Sequence, residues 1–363
     1  MVYKFGIIGL PNVGKSALFN RLTKLNVPSK NFPFCTIAPN LGMVSVIDNR
    51  LKKLALGFES EKIVYSVVQL VDIAGLVKGA STGEGLGNRF LEKIRECHAV
   101  IHVTRCFKND DIIHVYDAVD PARDIDIVNS ELLLSDLDLC EKTVQRLLVH
   151  KSQVHVRDDN TMNLMHRCIQ KLQLGVALRD IKFTHTELMY LKQYRFLTLK
   201  PMIYALNMAN NFDLNIDLKA FFKNININKL TIFPVIADAK DQNKRNNIDD
   251  LPCHLMSKQI NDLNNYDKIV QVICHMLKLK TFFTAGPKET RSWLFRSGST
   301  ALQVASLIHS DFSKGFIRAQ VISYDDFISL RSMYKIKKFG KLRSEGKKYL
   351  VNDGDIINFL FNV

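Results

Sequence analysis

The octapeptide "GLPNVGKS", Gly9 to Ser16, constrains this chain more than any other stretch. It matches G-x-x-x-x-G-K-[ST], a pattern that carries meaning only where a strand runs into the loop and a helix leaves it. Both flanks are present: "YKFGIIGL" reads as a buried strand, and an apolar-periodic helix begins near Ala17. Glycines let backbone N–H groups turn inward around phosphate oxygens, and the helix N-terminus adds a favourable dipole. Nucleotide contacts are therefore expected from Asn12, Val13, Gly14, Lys15, Ser16 and Ala17. Lys15 supplies a point charge for the β- and γ-phosphates, and Ser16 a hydroxyl for Mg²⁺.

Mg²⁺ prefers octahedral oxygen coordination and keeps several waters, so further oxygens are needed. "VDIAGL" supplies Asp72 at the end of an apolar strand, placed to reach the metal directly or through water, the alternative being a turn or helix cap. Gly75, three residues on, can offer its N–H to the γ-phosphate. Thr36, in "FPFCTIAPN", is the expected third metal ligand, on a mobile loop. Cys35 beside it is either a small apolar filler or a thiol whose oxidation would displace that ligand.

Strand patterns recur at "KIVYSVVQLVD", "AVIHVTRCF", "KPMIYALN" and "LTIFPVIA", with helical patterns between them. Such alternation indicates an α/β domain with a doubly wound, mostly parallel sheet. From Ser130 to Phe196 no strand signal appears. Leu133, Leu137, Cys140, Val144 and Leu147 follow a heptad seam, which Met165, Ile169 and Leu172 resume after "HVRDDN". Two antiparallel helices are expected, as a projecting hairpin or an insertion lying flat. After Lys278 short strands and the single helix "TALQVASLIHSDF" suggest a small α+β domain. The expected organisation is thus 1–129 with 197–277 as the nucleotide domain, 130–196 as the hairpin, and 278–363 as the last domain.

The net charge of +14 favours an anionic partner, nucleic acid first. From Thr281 onward 13 Lys and Arg stand against 7 Asp and Glu. Phe283, Trp293 and Phe316 lie among them, as base-stacking rings or as sheet core. Seven scattered cysteines without a C-x-x-C pair speak against a disulfide framework or zinc site and fit reduced thiols. No apolar run approaches the ~18 residues of a membrane span, and the apolar start runs straight into the phosphate loop rather than into a cleavage site.

Several blocks together carry a family resemblance: "GLPNVGKSALFN", "NFPFCTIAPN", "DIAGLVKGASTGEGLGNRFL", "DIIHV" and "FFTAGPKETRSW…DFSKGFIRAQ…DGDIINFLFNV". Across nearly its whole length the chain resembles the YchF / Obg-like ATPases, translation-factor-related P-loop NTPases. The resemblance implies an OBG-type G domain, the helical hairpin, a C-terminal TGS domain of β-grasp type, and a cytoplasmic ATPase that associates with the ribosome. No membrane partner is expected, and a monomer is the expected state, although the sequence does not itself give it. Guanine-specific relatives use N-K-x-D at the base, whereas the family pattern is N-x-x-E. Here Asn207, Met208, Ala209 and Asn210 stand in that place, with no carboxylate to reward guanine's donors. Adenine remains the expected base, with looser selectivity because an amide both donates and accepts. Ile236, Ala237 and Asp238 match the short base-contacting loop. A further departure is Ala38, where the family has Glu.

The position after D-x-x-G, a water-orienting Gln in many GTPases, is Leu76. By resemblance, Asn12 is a candidate for helping to bind K⁺ near the transferred phosphate, and His114 for orienting the water; their plain alternatives are a loop hydrogen bond and a surface histidine. Arg95 and Arg105 are further candidate cations, with helix or phosphate-independent surface contacts as the favoured alternative, and "GEGLG", Gly83 to Gly87, gives the second mobile loop its hinges. Three functions stay open: an ATPase, a nucleotide-gated binding module with incidental turnover, and a GTPase.

Overall fold

The computed structural model describes residues 2–24, 40–75, 86–109, 112, 114–116, 118–150, 157–208, 231–235 and 265–362. Thr36, Leu76, Asn210, Ile236, Ala237 and Asp238 lie outside these residues, as do Cys35, Ala38 and Gly83. The chain forms two compact units, one from Tyr3–Met43 and Gln69–His254, the other from Met1–Val2, Val44–Val68 and Leu255–Val363.

The strands of the first half are β1 (Lys4–Ile8), β2 (Leu41–Ser45), β3 (Ile63–Val64), β4 (Val67–Asp72), β5 (Ala99–Arg105), β6 (Met202–Asn207) and β7 (Ile232–Val235). All but β3 form one sheet in the order β2-β4-β1-β5-β6-β7. Strand β1 runs parallel to β4 and β5, β5 to β6, and β6 to β7. Every residue of β5 and β6 is buried, as central strands covered on both faces require. The chain passes to one side of β1 for β4 and to the other for β5. That reversal opens the crevice at the carboxyl ends of the strands where such sheets take their ligands.

Helices α1 (Lys15–Lys24), α2 (Asn49–Gly57), α3 (Leu86–Glu96), α4 (Pro121–His150), α5 (Arg157–Gln173) and α6 (His185–Leu191) accompany these strands. Helix α4 begins nine residues before the expected hairpin. Pro121 suits the first helical position, where its missing N–H costs nothing, and Asp120 Oδ1 accepts from the Arg123 N–H at 3.1 Å. Its first turns bury Ile125, Val128 and Leu132, and α4 packs on β5. Farther along, Cys140 and Val144 meet Leu164, Met165, Cys168 and Leu172 of α5, with Leu133, Leu137 and Ile169 beside them. Leu178, Leu191 and Phe196 belong to the same cluster.

Strand β5 also carries His102, 1% exposed, with neither ring nitrogen hydrogen-bonded. Burial first, then the charges of Arg179 and Lys15, push its imidazole down to about 3. An unfolded histidine titrates near 6.5. The unfolded chain therefore binds one proton more than the native one between these values, so stability is lost as pH is lowered from about 6.5 towards 3, by about 1.4 kcal/mol per pH unit. In His102→Phe this slope is expected to disappear. The difference between the two proteins' urea midpoints from pH 6.5 to 4 measures it, since all other titrations are shared.

The second unit continues with α7 (Asn265–Met276), β8 (Leu279–Ala285), β9 (Thr290–Arg296), α8 (Ala301–Ile308), α9 (Ser310–Lys314), β10 (Phe316–Ile322), α10 (Tyr324–Leu330), α11 (Met333–Lys338), β11 (Arg343–Glu345) and β12 (Ile356–Phe361). Its sheet has the order β11-β10-β12-β8-β9-β3. One core cluster joins Phe282, Phe295 and Phe359 to Val304 and Ala305 of α8. Another joins Phe283, Ile322 and Ile356 to Leu51 and Leu54 of α2, Phe327 of α10 and Ile336 of α11.

Two expectations change here. The strand "KIVYSVVQLVD" is two strands in different sheets: β3 pairs in parallel with β9, and the chain then leaves through Tyr65 and Ser66. The Thr290 N–H donates to Lys62 O and the Ser66 N–H to Ser292 Oγ, both at 2.8 Å. Residues 44–68, expected in the nucleotide domain, therefore cluster with the C-terminal residues. The single helix at 300–312 is also divided, because His309 is extended (φ −161°, ψ 153°) and its Nδ1 accepts from the Asp311 N–H.

Candidate functional site

Strand β1 delivers the chain to Gly9 at φ +146°, where a Cβ would stand 2.3 Å from the carbonyl oxygen of Val103. Only glycine passes so close over β5. Leu10 and Val13, each 1% exposed, anchor the loop from below. Asn12 (φ +61°) and Gly14 (φ +100°) take the left-handed conformation, and the Leu18 N–H to Gly14 O bond at 3.0 Å opens α1. Ala17 sits half-buried in the first turn.

Lys15 is 8% exposed and donates to Leu10 O at 2.7 Å. Burial lowers its ammonium to about 8, against the opposing pull of Asp72. It is still mostly protonated at neutral pH, a cation held partly out of water. The Ser16 hydroxyl donates to Asp72 Oδ2 at 2.7 Å, while Asp72 Oδ1 is buried without a hydrogen-bond partner. The Asp72 N–H to Asn40 O and Ile73 N–H to Ile7 O bonds fix the carboxylate's backbone. A hydroxyl beside a carboxylate with one unmet oxygen is a hard donor set that fits Mg²⁺. Gly75 abuts the loop: a Cβ there would lie 2.9 Å from the Pro11 nitrogen.

The described base-motif residues brace the site from the next strands. Asn207 Nδ2 donates to Val13 O at 3.0 Å, and Met208, 3% exposed, donates its N–H to Val235 O. Lys15, Ser16, Asp72, Gly75 and Asn207 are therefore gathered around one loop. The bond from Asn207 to Val13 adds a bracing role to a residue the sequence marks only as the first of the base motif.

His114 is placed differently from its expected role. It is 5% exposed, its Nε2–H donates to Asp124 Oδ2 at 2.9 Å, and its Nδ1 accepts from the Tyr116 N–H at 3.2 Å. Both nitrogens are engaged, so the ring as placed ties its segment to α4 instead of orienting a water. Arg105, 1% exposed, donates to Phe107 O, Asn109 O and Ile112 O and shapes that turn. Arg95 donates to Ser135 Oγ at 2.9 Å and faces Asp136 Oδ1 at 3.5 Å. Among the described residues neither arginine bonds to the phosphate loop. Cys97, Cys106, Cys140, Cys168 and Cys274 are buried free thiols. No described helix is long and apolar enough to cross a membrane.

A glycine-bearing loop between strand and helix, with a buried lysine and a serine–aspartate pair at the strand ends, defines a P-loop nucleoside triphosphate-binding protein. Residues 4–135 match a family model described as a 50S ribosome-binding GTPase. Residues 279–362 match the YchF-type GTPase C-terminal model, described as a protein of unknown function. A protein of Buchnera aphidicola from Acyrthosiphon pisum, named ribosome-binding ATPase YchF, is 45% identical over all of both chains. A protein of the same name from Escherichia coli O157:H7 is 43% identical, again over both full lengths. The solved structure of the Schizosaccharomyces pombe YchF GTPase superposes with a TM-score of 0.79 at 29% identity, covering 99% of this chain and 97% of that one. The chain belongs to the YchF family.

Proposed function

We propose that this chain is a Mg²⁺-dependent ATPase that associates with the ribosome in the cytoplasm. The observation that carries the chemistry is the buried Lys15 beside the Ser16–Asp72 pair with its unmet oxygen. Full-length similarity to proteins named ribosome-binding ATPase, together with the +14 charge, supports the partner. Ser16 and Asp72, with Thr36 from outside the described residues, would hold the metal, which when bound neutralises charge on the β- and γ-phosphates. Lys15 binds the same phosphates, Asn207 holds the loop in shape, and Gly75 offers its N–H to the γ-phosphate. Asn12, exposed at φ +61°, is our candidate for a K⁺ contact, and Ile236, Ala237, Asp238 and Asn210 for base contacts.

Relatives named ATPase and a solved relative named GTPase make base selectivity the first thing to measure. Competition of ATP and GTP for the purified protein is expected to favour ATP by about tenfold or more, because no carboxylate in Asn207–Asn210 rewards guanine. Equal or tighter GTP binding overturns that part of the reading. A nucleotide-gated module with slow turnover is the second reading, favoured by the engagement of both His114 nitrogens. Single-turnover hydrolysis with and without ribosomes, in K⁺ and in Na⁺, separates the two. Acceleration by ribosomes and K⁺ supports the enzyme, with His114 leaving Asp124, and a rate indifferent to both supports the module.

A further inference from the structure

The aromatic residues that the sequence offers for base stacking are core. Phe283 is 0% and Phe316 5% exposed, and Trp293 stacks on Phe282 while its Nε1–H donates to Thr284 Oγ1. Two other rings stand in water. Helix α11 buries Ile336 completely and turns Tyr334 outward at 74% exposure; Phe339, directly after it, is 61% exposed. The Phe339 N–H closes the helix on Lys335 O, Gly340 turns the chain at φ +65°, and the Lys341 N–H returns to Ile336 O. The rings are thus held on an ordered turn.

Exposed Lys335, Lys337 and Lys338 surround them, with Arg331 before and Lys341 after. Lys341 pairs with Asp326 at 3.0 Å. Among the described residues the three helix lysines and Arg331 have no carboxylate partner. Single exposed apolar residues need no explanation. Two large rings within six residues, set among unneutralised cations, are a combination that unpaired RNA answers: phosphates for the lysines and base faces for the rings. An anionic membrane answers the charge but offers no planes to stack, and an acidic protein meets both features only where it sets aromatic side chains of its own among its carboxylates.

We propose that the surface of Arg331–Lys341 docks single-stranded RNA, its lysines on phosphates and Tyr334 and Phe339 stacked on unpaired bases. The proposal rests on the ribosome reading above and assigns part of that contact to this surface. All the side chains to be changed are exposed, so the fold is expected to survive, and unchanged melting temperatures check it.

The test uses the full-length chain and fluorescence anisotropy with a labelled single-stranded RNA, a duplex RNA of the same length, and vesicles containing phosphatidylglycerol. The triple variant K335Q/K337Q/K338Q is expected to lose at least tenfold in single-strand affinity and to flatten log K against log salt by about 2. The pair Y334A/F339A is expected to lose about tenfold or more for the single strand, with the salt slope kept and duplex binding little changed. Single-strand binding unaffected by either variant overturns the proposal, as does vesicle binding that depends on the rings equally. Ribosome sedimentation with the same proteins separates the two readings. Wild type and variants pelleting alike would sink the docking surface and leave ribosome association standing. Variant-sensitive RNA binding by a protein that ignores ribosomes would do the reverse.

Discussion

Replacing Lys15 by alanine is expected to cut ATP hydrolysis by about 100- to 1000-fold, the scale of losing one preorganised charge from a transition state, and to weaken ATP binding at least tenfold. Lys15 is 8% exposed and its ammonium donates to Leu10 O within the loop. The two other candidate cations, Arg95 and Arg105, are bonded elsewhere and do not take over. Stability moves the other way. Folding lowers the lysine from its usual 10.5 to about 8, so the unfolded chain binds the proton more tightly and the charge opposes folding at every pH below that window. Lys15→Ala is thus expected to melt no lower than wild type at pH 7 without nucleotide. A protein that folds better but hydrolyses hardly at all identifies a site that carries strain for function. Unchanged affinity and turnover would remove the basis of the nucleotide assignment.

The second large effect is expected far from the phosphates. Asp136 is fully buried on α4 and accepts from the Leu197 N–H at 2.9 Å and from the Thr198 N–H and hydroxyl at 2.7 Å each. Arg95, near the end of α3, faces the same carboxylate, and Lys200 donates to Arg95 O at 2.9 Å. Asp136→Ala leaves three donors unmet in the interior and is expected to cost about 3–5 kcal/mol. Thr198→Val, which removes one hydroxyl, is expected to cost about 1 kcal/mol. Urea unfolding followed by far-ultraviolet circular dichroism measures both, since the only tryptophan, Trp293, lies in the other unit. A loss below about 1 kcal/mol for Asp136→Ala would show that water replaces the carboxylate without difficulty.

The phosphate loop was legible because its chemistry is local: glycines, lysine and serine at fixed spacing between a strand and a helix. The central strands were legible as unbroken apolar runs. Asp136 was not, because its worth depends on amides about 60 residues away. The start of α4 was written in Asp120-Pro121 but was obscured by a heptad pattern that emerges only from Leu133. The division of "KIVYSVVQLVD" was hidden for a different reason. Alternation with period two reads the same in either sheet, and only pairing with residues 290–291 decides where Ile63 and Val64 go. The burial of His114 was not legible because its loop position suggests exposure, whereas Asp124, ten residues on, draws the ring inside.

Strand β3 has a consequence for how the chain is made. The Ser66 amide waits for a hydroxyl 226 positions further on, and β12, which lies between β10 and β8, comes later still. At about 5–20 residues per second that delay is on the order of 10–50 s. Until then Leu51 and Leu54 of α2 lack Phe283, Ile322, Phe327, Ile336 and Ile356, the buried residues of their cluster. This half of the molecule therefore closes only after synthesis has reached its last strand, and a fragment starting at residue 279 would present β9 as a bare edge open to other copies.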